Sequence, residues 1–180
     1  MIRWAPFHYG GQTYALDHLH PRELTFQQPA TKGKPARDYR VQVIYGLHCF
    51  TRKRKDGEKA PDAALMYADS RETRIFDFGR YELSKQLPAV IARLIGRNCY
   101  HSGKGNFFIV ELVTVAGDRE EYEIYFEASR ASAKGLVNLY VQSAYVRDQQ
   151  HAGNRPKRKS ICFQIILFNI LAGKPIRIPQ

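Results

Sequence analysis

The chain has no run of about 18 apolar residues, so no segment is long enough to cross a bilayer as a helix. Its first residues, MIRWAPFHYGG, lack the apolar stretch of a signal peptide, and a cytoplasmic location with no membrane partner is expected. Cysteine is scarce. Cys49, Cys99 and Cys162 are widely spaced and odd in number, which argues against a disulfide framework and suits free thiols in a reducing compartment. No CxxC and no paired Cys/His spacing occurs, so neither a metal nor another cofactor is expected. No internal repeat or low-complexity tract is visible. Acidic residues are also few, with 17 Asp and Glu against 28 Lys and Arg for a net charge of +11.

What is present is a folding composition. The hydrophobic share is 44% and the aromatic share 12%, and 180 residues suffice for one domain with its own core. The charge excess favours an anionic partner, a polyanion such as RNA or DNA above all; RNA is preferred over DNA only through the resemblance given below. The cations are clustered. Arg52, Lys53, Arg54, Lys55 and Lys59 stand against Asp56 and Glu58, and residues 155–159 read RPKRK, so two basic loops are expected to frame one groove.

The pattern along the chain predicts an α+β fold, an antiparallel meander packed with about two helices. Residues 1–37 read as a β-rich N-terminal extension, from the breakers HYGG and HP and the alternation of ELTFQQ. In YRVQVIYGLHCF, Val41, Val43, Tyr45, Leu47 and Cys49 share one face of a strand, and Gly46 marks a bulge or a close backbone approach. Residues 51–71 are charged and turn-rich and read as a mobile basic loop. In ELSKQLPAVIARLIG, Leu83, Leu87, Val90, Ile91 and Leu94 form one helical stripe; Pro88 fits only in a first turn, which places the start near Ser84 as the cap. NFFIVELVTV, EEYEIYFEA and GLVNLYVQSAYVR, joined by short polar turns, predict three neighbouring antiparallel strands. In the middle one Tyr122, Ile124 and Phe126 face inward while Glu121, Glu123 and Glu127 face water. In the third, the face carrying Val137, Leu139 and Val141 continues to Ser143, Tyr145 and Arg147. Residues 163–172, closed by AGKP, read as a helix, with a central strand as the alternative.

The helix LSKQLPAVIARLIG, the three strands from Asn106 to Arg147 and the polar strand end SAYVRD together resemble the barnase/EndoU/colicin/RelE-like group of metal-independent ribonucleases. The resemblance covers about residues 80 to 172 and is one of arrangement. It implies RNA cleavage by attack of the 2′-hydroxyl on the adjacent phosphorus, a toxin or mobile-element setting, and a cognate inhibitor or nucleoprotein complex as partner.

Such chemistry needs a base, an acid and cationic donors on the phosphoryl oxygens. His48 beside Arg52 and Arg54 supplies those residue types at one strand end, and Tyr145 with Arg147 supplies a second set. His101, in CYHSGKGN, is a further catalytic candidate because a Gly-rich loop brings backbone N–H groups to a phosphate. Lys104 of that loop, Arg52, Lys53, Arg54, Lys55, and Arg155, Lys157, Arg158 and Lys159 are the expected nucleic-acid contacts. Phe50, Tyr45, Tyr100, Tyr140 and Tyr145 are placed for base stacking, and Tyr145 is the one preferred. Weaker constellations are His18 and His20 in DHLHP with Asp17 as a metal site, Cys49 as a nucleophile, and a general base among the three glutamates. Each has a plainer structural explanation. Two further readings stay open: a non-catalytic nucleic-acid-binding or nucleoprotein-inhibiting accessory protein, and a protein whose basic face meets an acidic partner.

Overall fold

The computed structural model describes residues 3–103, 105–115, 117–146 and 159–177. The chain opens with a hairpin, β1 (Phe7–Tyr9) and β2 (Gln12–Tyr14), followed by β3 (Arg22–Gln28) and the long β4 (Arg37–His48). β5 (Thr51–Arg52), β6 (Met66–Ala68) and β7 (Thr73–Phe76) form a small antiparallel sheet in the order β5-β7-β6. Two short helices, α1 (Phe78–Ser84) and α2 (Leu87–Ala92), lead to β8 (Asn98–His101), β9 (Phe107–Val115), β10 (Asp118–Arg130) and β11 (Leu136–Val146). β12 (Ser160–Cys162) runs directly into α3 (Phe163–Leu171).

The fold is α+β, and β9, β10 and β11 pair antiparallel in sequence order as their short turns require. The meander is only part of a larger sheet, however. Seven strands run in the order β12-β8-β9-β10-β11-β4-β3, and β11 pairs with β4 in parallel, so the sheet is mixed. The cause is burial: β4 puts Val41, Val43, Tyr45 and Leu47 into the core, and a strand this apolar is best placed centrally, with neighbours on both sides.

Residues 3–28 are built into the body of the protein. β3 is an edge strand of the large sheet; Trp4, Phe7, Leu16 and Leu19 are buried, and the Trp4 indole donates to the Tyr45 carbonyl at 3.0 Å. Phe7 stacks on Phe76 at 3.9 Å, and Trp4 meets Phe50 edge-on at 5.3 Å. Each such side chain stabilises the fold by about 1.5–3 kcal/mol. Within 51–71 the chain makes β5, a 3-10 turn at Ala63–Leu65 and β6, so this segment is not irregular throughout.

The stripe read as one helix from Ser84 is two helices. Pro88 lacks the N–H that would reach the Ser84 carbonyl, and its ring would strike that carbonyl, so α1 ends at Ser84 and α2 begins at Leu87 with Pro88 in its first turn. Ser84 caps nothing; its hydroxyl is buried and donates to the Tyr81 carbonyl at 2.7 Å. Asp77 caps α1 instead, accepting from the Arg80 N–H at 2.8 Å. α3 is a helix, and it packs Phe163, Ile166 and Leu167 onto the sheet, with Phe163 against Phe26 and Phe126. No helix among the described residues is long and apolar enough to cross a membrane.

Candidate functional site

The parallel pairing of β11 with β4 aligns Ser143 with His48. β11 carries one extra residue, Gln142, opposite β10, because Tyr125 pairs with Ser143 while Phe126 pairs with Val141; opposite β4 the extra residue is on β4, because Tyr45 pairs with Val141 while His48 pairs with Ser143. The bulge at Gln142 changes the alternation along β11. Val137, Leu139 and Val141 are core, and the next core residue is Ala144, so Ser143 and Tyr145 turn to the opposite face. The expected continuation of one face through Ser143 and Tyr145 is therefore corrected, and the correction brings both residues to His48.

The end of β4 is fixed by a polar network. Thr51 donates to the Leu47 carbonyl at 2.7 Å and accepts from Arg74 Nε at 3.0 Å. Arg80, reaching over from α1, donates to the carbonyls of His48 (3.2 Å) and Thr51 (2.9 Å), and its guanidinium lies 5.2 Å from the Tyr145 ring centroid. Burial pulls the Arg80 pKa down from its ordinary value, against the opposing pull of Asp77. His48 Nε2 stands 2.5 Å from Glu72 Oε1, and Glu72 Oε2 accepts from Arg74 at 3.2 Å. Its bond to His48, followed by that to Arg74, holds the Glu72 carboxyl below the usual carboxylate range. An ionised carboxylate only accepts, so His48 Nε2 carries the proton of this bond and Nδ1 is left for other work.

His48 and Tyr145 line one cleft of about 1250 Å³, together with Ser143, Arg74 and Arg80 on one side and residues 52–56 on the other. Six Lys or Arg and three Asp or Glu line it, so the cleft favours an anion. A smaller recess of about 490 Å³ shares His48 and Ser143 with it.

The basic run is divided. Arg52 is held by Glu58, at 2.7 and 2.5 Å, and by Asp77 at 3.3 Å, and Arg54 donates to the Glu58 carbonyl at 2.9 Å. The bond from Arg52 holds the Glu58 carboxyl down to about 2, with help from the Lys55 N–H. These two arginines build the loop, and Lys53 and Lys55, both exposed, line the cleft beside them.

His101 lies elsewhere. It belongs to β8 rather than to a loop, is 7% exposed and packs on Phe107 at 5.2 Å between ring centroids. β8 stands four strands from β4, roughly 19 Å across the sheet at the usual spacing. Lys159, whose carbonyl accepts from the His101 N–H at 3.0 Å, shares that remote position. Lys104, Arg147, Arg155, Lys157 and Arg158 lie outside the described residues.

Other expectations change with burial. Phe50 and Tyr45 are core and offer no stacking face. Cys49 points inward to the Val141 carbonyl at 3.5 Å, and burial pushes its thiol up to about 12, the reverse of what a nucleophile needs. Glu123, expected in water, is 2% exposed and accepts from the Tyr125 hydroxyl at 2.8 Å. His18 lies within a 3-10 turn and His20 follows it, and their Nε2 atoms bond Ser84 Oγ (2.8 Å) and the Trp4 carbonyl (3.1 Å) respectively. Among the described residues no group of three His, Cys, Asp or Glu is placed to hold a metal ion.

Glu72, Arg74 and Arg80 escaped the sequence reading. The alternation in RETR could have put Glu72 and Arg74 on one side of a strand; Arg80 was hidden by placing the helix start at Ser84.

The family model described as the YjaZ family matches residues 6–171. The chain is similar to Protein YjaZ of Escherichia coli (strain K12), with 32% identity over 180 residues that cover 99% of this chain and 96% of that protein. No solved structure matches it.

Proposed function

The chain belongs to the YjaZ family, and we propose that it binds RNA in the cationic cleft and cleaves it without a metal. The reading rests on the cleft rather than on the family. The observation that carries it is the convergence of His48, tied to Glu72, with Tyr145 in one cleft lined by an excess of cations.

In this scheme His48 Nδ1 removes the proton from a ribose 2′-hydroxyl, whose oxygen bonds to the adjacent phosphorus. The bond from phosphorus to the 5′ oxygen breaks, and the leaving oxygen takes a proton from the Tyr145 hydroxyl. The products are a 2′,3′-cyclic phosphate and a free 5′-hydroxyl; His48 then returns its proton through solvent to Tyr145. Arg74 and Arg80 stabilise the charge that builds on the phosphoryl oxygens. Glu72 keeps the His48 ring oriented and its Nε2 protonated.

The test is incubation of the purified protein with labelled RNA and DNA in EDTA, beside His48→Ala. Cleavage of RNA alone, slowed about 10²–10⁴-fold in the variant, is expected. A second reading, a non-catalytic nucleic-acid-binding protein, draws on Lys53 and Lys55 at the cleft mouth. Its mark is intact RNA of shifted mobility, indifferent to His48→Ala.

A further inference from the structure

Four residues of the smaller recess, Leu47, Arg71, Tyr140 and Gln142, have no part in the cleavage scheme. Three observations indicate that this recess is built rather than left over. Gly46 lies near the C-terminal end of β4, where a Cβ would come within 2.6 Å of the Tyr140 hydroxyl and 2.9 Å of the Gln142 carbonyl, so glycine is what lets the Tyr140 side chain lie across the strand. Arg71 donates to the Tyr140 hydroxyl at 3.4 Å and is itself held by Asp69 at 3.2 Å. The Gln142 amide is fixed in orientation, because its oxygen accepts from Asn106 Nδ2 at 2.5 Å and its nitrogen donates to Glu127. One N–H and one lone pair of that amide remain for another partner.

An aromatic side chain beside an oriented donor and acceptor suits a planar heterocycle with a hydrogen-bonding edge. We propose that the recess is a nucleobase subsite, in which a base next to the bound phosphate packs on the Tyr140 ring and presents its edge to Gln142, with Arg71 holding the ring in place. The proposal rests on the reading of the cleft as an RNA site and adds to it where base preference originates.

The test is equilibrium binding of uniform 2′-O-methyl strands, which cannot be cleaved by 2′-hydroxyl attack, and of an abasic strand of equal length. Each is titrated by fluorescence anisotropy into the wild-type chain, Tyr140→Leu, Tyr140→Phe and Gln142→Ala. The wild type is expected to bind strands with bases about 10-fold more tightly than the abasic strand. Tyr140→Leu should erase that margin and Tyr140→Phe should keep it. Gln142→Ala should narrow the spread among the four bases. If the wild type binds base-bearing and abasic strands alike, or Tyr140→Leu keeps the margin, the subsite is overturned while the cleft reading stands. Binding of no strand overturns both. Should Tyr140→Leu fail to melt cooperatively, the Gln142→Ala spread decides: an unchanged spread overturns the proposal.

Discussion

His48 acquires its character from Glu72, 24 residues away in sequence and 2.5 Å away in space. Glu72→Gln replaces an ionised acceptor by an amide that can bond either ring tautomer, so the catalytic tautomer is no longer enforced. We expect kcat for RNA cleavage to fall roughly 10²-fold with KM nearly unchanged, as read from initial rates over a range of substrate concentrations. Gly46 makes a second residue-scale case. Gly46→Ala forces Tyr140 and the Gln142 backbone apart, and a loss of about 1–3 kcal/mol is expected in urea unfolding. Two histidines outside the cleft contribute to the loss of stability below neutral pH. Burial holds the pKa of His18 below its ordinary value, aided by Lys85 and Arg22 against Asp17, and burial with Lys159 does the same for His101. The unfolded chain therefore takes up protons that the folded chain resists. Stability from these groups is full above about pH 6.5 and is lost as the pH falls below it. The urea midpoint should drop between pH 7.5 and pH 5, and His101→Leu should flatten that drop.

At the scale of elements, the strands were the readable part. The inward alternation of β4 and β10 is local, and short polar turns fix which of β9, β10 and β11 are neighbours. The helices were less legible because an apolar stripe continues through a break: Leu83 and Leu87 share a side across the α1–α2 junction, and only the geometry of Pro88 divides them. The same division reveals Asp77 as the α1 cap and as a partner of Arg52, joining the helix to the basic loop. Asp77→Ala should cost about 1 kcal/mol or somewhat more in thermal unfolding followed by circular dichroism. It should also leave Arg52 held by Glu58 alone.

For the whole molecule, charge sets the approach of a polyanion and packing sets what it meets. With Arg52 and Arg54 engaged inside their loop, Lys53 is the residue of the run whose removal should act through phosphate contact. Its change to Ala is expected to lower the slope of log Kobs against log salt by roughly 0.7 to 1 in RNA titrations, with little effect on melting temperature. The N-terminal residues have the opposite profile. Trp4, Phe7, Leu16 and Leu19 are core, so deletion of residues 1–16 should abolish cooperative unfolding.

The sequence by itself determined the charge excess, the α+β composition, the buried faces of β4 and β10 and the hairpin order of β9 to β11, because each follows from local periodicity or turn chemistry. Tertiary structure decided the rest. The parallel pairing of β4 with β11 joins residues 95 or 96 apart, and no local pattern encodes such a register. The bulge at Gln142, which turns Tyr145 to the side of His48, arises in the pairing of β11 with β10. Glu72 and Arg80 reach His48 only after β7 has paired with β5 and α1 has packed on β11. Which of the many cations and histidines form a site was therefore settled by long-range packing, through contacts whose partners are distant along the chain.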